Sequence, residues 1–171
     1  DQSLAIDYAD DDILIAAAEN FRRGVEYLRK FAADDKLSSF LCCDKEIDIL
    51  YGNGTMYYEN TLYQPSCSWN DIPASIEIDD ILQTAIETNH FLQIFHSKDM
   101  AYVDLKPDDI LLPPTIDGEP DCAHPLFYDL NSAKKINQEY ALTEITSTEA
   151  YRPPEFEGTT ETTEINHYTE N

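Results

Sequence analysis

The sequence predicts an α+β protein, with a small antiparallel sheet and one helix followed by a mainly helical region. Three observations support this prediction. Short apolar runs lie before residue 60, an amphipathic helical pattern lies among them, and a second long helical pattern starts at Ile78. Asn, Ser and Pro are concentrated at 59–73, which indicates a linker. We therefore predict units at 1–60 and 61–158 and a polar acidic tail at 159–171.

The first unit contains strand and helix patterns in alternation. Residues 3–8 form a short apolar run typical of a strand, and apolar residues then recur at three- and four-residue steps over 13–31, which predicts a helix. Three further strands are predicted at 37–41, 46–50 and 55–58, with Asn53 and Gly54 forming a hairpin turn before the last.

The second unit begins with a predicted, largely buried helix at 78–97. Two short apolar runs at 110–112 and 126–128 predict strands on either side of a Pro-rich connection. The polar segment 132–149 lacks periodicity and is expected to be an irregular loop. The Thr-rich run from residue 159 is expected to be poorly ordered.

The composition restricts the possible partners. There are 34 Asp and Glu residues against 11 Lys and Arg, which gives a net charge of −23 and disfavours nucleic acid and anionic membranes. The acidity fits either a solvated surface adapted to salt or a surface that recruits a basic partner. Neither a C-x-x-C pair nor a long apolar run or signal peptide is found in the sequence, so we predict free thiols, no membrane insertion and a cytoplasmic location.

Three motifs in order suggest a family. Asp104-Leu105-Lys106-Pro107, with Asp109 two residues later, is followed by Asp129-Leu130-Asn131 and then by Pro153-Pro154-Glu155. This series resembles the catalytic loop, the D-F-G motif and the A-P-E motif of the protein kinases, and D-L-K-P resembles the serine/threonine type. The resemblance implies an incomplete bilobal kinase-like fold, with a partial N-lobe at 1–60 and a partial C-lobe at 61–158.

The resemblance also implies roles for individual residues. Asp104 would orient the attacking hydroxyl and Lys106 would neutralise charge on the transferred phosphoryl group. Asp109, in the place of the family's Asn, and Asp129 would bind Mg²⁺. Thr148 resembles the family's threonine that bonds to the catalytic loop.

Two positions depart from the family in a way that affects nucleotide binding. Asp7 stands where kinases have the Lys that holds the α- and β-phosphates, and Gly24 stands where they have its Glu partner. An anion in place of that cation repels the nucleotide. In the catalytic loop, Tyr102 and Val103 replace the usual His and Arg.

The sequence therefore predicts a kinase-like domain related to enzymes that transfer the ATP γ-phosphate to a protein hydroxyl, degenerate and with weak or no activity in this chain. The alternatives are an active divergent serine/threonine kinase, truncated here, and a pseudokinase that acts as an interaction module. Mg²⁺ and ATP are the expected cofactors if the chain is active, and none is expected otherwise. The expected partner is a protein, either as substrate or as binding partner.

Overall fold

A computed structural model describes residues 6–7, 12–42, 48–52, 55–59, 67–141, 145, 147–152, 156 and 162–165. Over these residues the protein is a mixed α+β structure with two α-helices and several small antiparallel sheets. The predicted α+β class is confirmed at this level. No helix in the described part of the chain is both long and apolar enough to cross a membrane.

The first helix, α1, spans Asp12–Ala32 and confirms the helix predicted from apolar periodicity. Its inner face is formed by Val25, Leu28 and Phe31, all less than 5% exposed. Arg29 and Lys30 lie in the last turn, where cations interact favourably with the carbonyl end of the helix.

Three strands form the first sheet: β1 (Ile6–Asp7), β2 (Asp48–Gly52) and β3 (Thr55–Glu59). Their order is β1-β3-β2 and both pairings are antiparallel. Gly52 pairs with Thr55, which is the register of a two-residue hairpin, and the predicted Asn53-Gly54 turn itself lies outside the described residues. The predicted strands at 46–50 and 55–58 are thus confirmed in type, with shifted ends.

The strand predicted at 37–41 is wrong. Ser38–Phe40 form a short 3₁₀ helix, and Leu37 and Leu41 on either side of it are buried. The Asp34 carboxylate accepts hydrogen bonds from the backbone N–H groups of Lys36 and Leu37, which stabilises a turn instead of an extended chain.

The linker predicted at 59–73 overlaps residues that form strands. Residues 60–66 lie outside the described part, but Cys67–Ser68 form strand β4, paired with Leu111 and Leu112. The linker prediction is therefore wrong from Cys67 onward. Among the described cysteines, Cys42, Cys67 and Cys122 are free thiols, as predicted.

The second helix, α2, spans Ile78–His96 and confirms the predicted helix. Phe91 and Phe95 near its end are fully buried, whereas Ile78, Leu82 and Ile86 are more than half exposed. The prediction of a largely buried helix is therefore wrong for one face of its first half.

Four short strands follow α2: β5 (Met100–Tyr102), β6 (Ile110–Leu112), β7 (Leu126–Phe127) and β8 (Ala133–Lys135). β6 and β7 pair antiparallel across the Pro-rich connection, which confirms that predicted hairpin. β5 pairs antiparallel with β8, so the chain returns at β8 to lie beside the strand that precedes Asp104.

The last two strands are β9 (Gln138–Ala141) and β10 (Thr162–Ile165), which pair antiparallel with each other. The predictions of an irregular loop at 132–149 and of a poorly ordered tail are therefore wrong at β8, β9 and β10. Ile165 is fully buried in a small cluster with Ala101, Val103, Ile136 and Phe156, and this burial compensates for the polar composition of its strand.

The main core joins both helices to β5 and β7. The rings of Phe91 and Phe127 are stacked with their centroids 4.1 Å apart, and Phe31 contacts Phe95 edge-on at 5.2 Å. Tyr102 of β5 lies fully buried against Phe91 and Phe95. This aromatic core holds the end of β5, and therefore the start of the Asp104 segment, in a fixed position.

Candidate functional site

Asp104 follows β5 and its carboxylate is tied to a segment far along the chain. Its Oδ1 accepts a hydrogen bond from the backbone N–H of Thr148 at 2.6 Å, and its Oδ2 accepts one from the Thr148 hydroxyl at 3.1 Å. Asp104 is only 8% exposed. Thr148 thus bonds to the Asp104 loop in the way that the kinase resemblance implies for it, and the carboxylate has a single defined orientation.

Lys106 and Asp109 form a close ion pair beside Asp104. Lys106 Nζ lies 3.1 Å and 3.0 Å from the two Asp109 carboxylate oxygens and 3.8 Å from Asp104 Oδ2. Residues Pro107–Asp109 form one turn of 3₁₀ helix, and in this turn the Asp109 backbone N–H donates to the Lys106 carbonyl at 2.9 Å. The local fold therefore brings Asp104, Lys106 and Asp109 together.

The charge state of this pair depends on its burial. The Asp109 side chain is 2% exposed, and burial raises its pKa to about 7 although the Lys106 ammonium acts in the opposite direction. Burial lowers the pKa of Lys106, but the hydrogen bond and the charge of Asp109 outweigh it and leave that pKa above its usual value. Lys106 is therefore a permanent cation next to a carboxyl group that is partly protonated near neutral pH.

Asp129 is linked to the site by a backbone hydrogen bond of its neighbour Tyr128. It has a left-handed conformation (φ 63°), and its carboxylate accepts a hydrogen bond from the Asn131 N–H at 3.3 Å. The preceding residue, Tyr128, donates its N–H to the Asp109 carbonyl at 3.4 Å and accepts a hydrogen bond from the Tyr102 hydroxyl. Tyr102, which replaces the family's His, therefore supports the backbone next to Asp129.

The Asp109 carboxyl is already engaged by Lys106, which bears on whether the site can hold Mg²⁺. A magnesium ion binds oxygen ligands, usually one or two carboxylates together with water and phosphate oxygens. Both Asp109 oxygens instead accept hydrogen bonds from Lys106, and burial favours the protonated form of Asp109. Within the described ranges, no three His, Cys, Asp or Glu side chains are grouped closely enough to hold a metal ion. In this arrangement the Lys106 ammonium is the cation in contact with Asp109.

Gly24 lies where α1 touches the turn after Asp129. A Cβ added to Gly24 would lie 2.1 Å from Asn131 Oδ1, 2.7 Å from Asn131 Cα and 2.8 Å from Asn131 N. Distances below 3.0 Å do not occur between such atoms in a relaxed structure, so the close contact of α1 with Leu130–Ser132 needs glycine at this position. The other predicted clamp position, Asp7, lies in β1 opposite Thr55, and its side chain is outside the described part.

A buried polar contact that the sequence analysis missed joins α1 to β8. Lys134 is 1% exposed, and its Nζ donates to Asn20 Oδ1 at 3.1 Å and lies 5.4 Å from the centre of the Tyr140 ring. Arg23 also donates to Asn20 Oδ1. Lys134 lies in a polar segment without periodicity, and nothing in the sequence distinguishes it from a surface lysine.

The chain was also compared with known proteins. No protein family model matches it, and no curated protein matches it.

Proposed function

We propose that this chain is a kinase-like interaction module, related to the serine/threonine protein kinases, that has lost phosphoryl transfer. The proposal rests on the resemblance of the Asp104, Asp129 and Glu155 motifs and on the chemistry of the residues at the site. Three features of these residues bear on activity: the packing at Gly24, the Lys106–Asp109 pair and the orientation of Asp104.

The packing of Gly24 against Asn131 carries the proposal. A kinase holds the ATP phosphates with a Lys that is fixed by a Glu on the neighbouring helix. At the position matching that Glu, this chain has no side chain and no room for one, because even a Cβ would overlap the Asn131 backbone. With Asp7 in place of the Lys, the cation that attracts the phosphates is lost together with the carboxylate that would position it.

The Lys106–Asp109 pair supports the same proposal. In an active kinase the residue at the Asp109 position binds Mg²⁺, and the Lys neutralises the transferred phosphoryl group. Here the Lys106 ammonium lies 3.0 Å from Asp109, so each group is already engaged by the other. ATP binding would have to separate this part-buried pair without the phosphate clamp to compensate for the cost.

An active, divergent serine/threonine kinase is the second candidate. The orientation of Asp104 favours it, since two hydrogen bonds from Thr148 hold its carboxylate and Lys106 Nζ lies 3.8 Å away. Asp104 would act directly on the phosphoacceptor hydroxyl, and Lys106 would act on the transferred phosphoryl group.

Thermal melting and phosphate transfer distinguish the two functions. Saturating Mg-ATP should leave the melting temperature unchanged, whereas ATP at 100 times its Kd would stabilise the fold by about 2.7 kcal/mol. The same preparation should give no ATP-dependent phosphorylation of itself or of a general protein substrate. Phosphate transfer that disappears in Asp104→Asn would reject the proposal and establish the kinase. Transfer that persists in Asp104→Asn would be attributed to a contaminating kinase and would leave the melting result to decide.

A further inference from the structure

The first half of α2 carries a row of exposed apolar side chains, which we name the α2 strip: Ile78, Leu82 and Ile86. Their exposed fractions are 67%, 54% and 59%. They lie four residues apart, so they form one ridge on the helix surface. Single exposed apolar residues are ordinary, but a contiguous row of three large ones is typical of an interaction surface.

The ridge continues into a cavity. Two further steps of four residues lead from Ile86 to His90 and Ile94, and both line a cavity of about 510 Å³. Phe40, Ala123 and Pro125 form the rest of its apolar wall. The His90 ring contacts Phe40 edge-on at 5.4 Å, which keeps this end of the ridge ordered. The strip therefore leads into the cavity through His90, and Lys36, Ser39, Glu87 and His124 form the polar part of the cavity wall.

The flank of the strip is acidic. Glu77, Asp79 and Asp80 are all exposed beside Ile78, and the whole chain carries a net charge of −23. A negative field of this size attracts cationic partners and repels acidic ones. A second copy of this chain would bring the same three carboxylates and the same net charge to the contact, which disfavours self-association.

We propose that the α2 strip and the adjoining cavity bind an amphipathic helix of a basic partner protein. Its apolar side chains lie along the ridge and enter the cavity, and its Lys or Arg side chains contact the acidic flank at the Ile78 end. A row of residues four apart is inclined to the helix axis, so the partner helix crosses α2 obliquely. The inference deepens the proposed function, on which it rests, by naming the kind of partner that the interaction module takes.

The test uses a synthetic helical peptide and the full chain. The probe is a fluorescein-labelled peptide of about 18 residues, since shorter isolated helices are marginal in water, with Leu along one face and Lys on the other. One comparison peptide has every Lys replaced by Glu. A second has the composition of the probe but its Leu residues dispersed around the helix. Fluorescence polarisation measures binding of each.

We expect the probe alone to bind saturably, and Leu82→Gln and Ile86→Gln to weaken it at least about tenfold. Ile116→Gln is the matched control because Ile116 is fully exposed (105%) in the connection between β6 and β7 and does not line the cavity. It should change the affinity by less than about twofold. All three variants replace exposed residues and keep the net charge, so loss of folding and loss of charge do not explain a difference.

Three results would overturn the inference. Equal binding of the dispersed-Leu peptide would show that charge alone attracts the probe. An equal loss in Ile116→Gln would show that the strip is not the site. Self-association in sedimentation that Ile86→Gln abolishes would show that a second copy covers the strip. Phosphate transfer is measured separately, so a failure of the proposed function is distinguishable from each of these results.

Discussion

Replacing Gly24 with alanine tests the close approach of α1 to the turn after Asp129. The new Cβ would lie 2.7 Å and 2.8 Å from two backbone atoms of Asn131, and 2.1 Å from its side-chain oxygen. The oxygen can rotate away, but the backbone atoms move only if the helix or the turn shifts. Such overpacking costs about 1–3 kcal/mol. Alanine in a helix interior recovers about 1 kcal/mol relative to glycine. The difference of the two leaves a net loss, so we expect Gly24→Ala to lower the free energy of unfolding by up to about 2 kcal/mol.

Urea denaturation followed by circular dichroism measures the effect. Ala85→Gly, at an exposed position of α2, is the control that gives the helix propensity difference without a tertiary contact. Adding Asn131→Gly to Gly24→Ala should restore only part of the loss, because it removes the Oδ1 contact and leaves both backbone contacts. An increase of about 1 kcal/mol in Gly24→Ala would match propensity alone and would refute the tight packing on which the proposed function depends.

Two further predictions concern the Asp104 site. Because the folded-state pKa of Asp109 is about 7 and the usual value is 3.8, the folded chain binds more protons between these values, and stability falls as pH rises through that window. Asp109→Asn should remove this contribution to stability, which is at most about 4 kcal/mol before solvent screening reduces it. Urea midpoints of both proteins, measured across this pH window, test the prediction. Parallel curves for the two proteins would show that it is wrong. Thr148→Val removes the hydroxyl bond to Asp104 but keeps the N–H bond, so we expect a loss of about 1 kcal/mol and faster amide hydrogen exchange at 147–152. Unchanged exchange there would show that the hydroxyl bond contributes nothing.

The two helices could be predicted from sequence because their signal is local and long. Apolar residues recur with helical spacing over 21 residues in α1 and 19 in α2, and such periodicity is the strongest single-sequence signal. The strand predicted at 37–41 was wrong because Leu37 and Leu41 are buried on either side of a 3₁₀ turn. A short apolar run in the sequence does not distinguish such a turn from a strand. The burial predicted for the first half of α2 was wrong because the sequence shows which residues are apolar but not which of them other parts of the chain cover.

The polar strands could not be predicted from their own residues. β8 and β10 depend on pairing with β5 and β9, and in β10 Ile165 is buried in a cluster with residues from distant parts of the chain. Strand preference depends on such neighbours more than helix preference does.

At the candidate site, Asp104, Lys106 and Asp109 could be predicted as a group because they lie within six residues. The Gly24–Asn131 and Asn20–Lys134 contacts join residues more than a hundred positions apart, and no local pattern reveals them. The bilobal kinase-like arrangement stays a prediction.

The pairing of β9 with β10 has a consequence for the part of the chain between them. The ladder joins Ala141 to Thr162 and so holds both ends of the intervening stretch about one strand spacing apart. Closing a loop costs entropy that grows only slowly with its length, and here the ladder and the buried Ile165 offset that cost. A single cut by a protease within this stretch would therefore leave both products bound to each other under native conditions. The cut would become visible only after denaturation, when two fragments would separate on a gel.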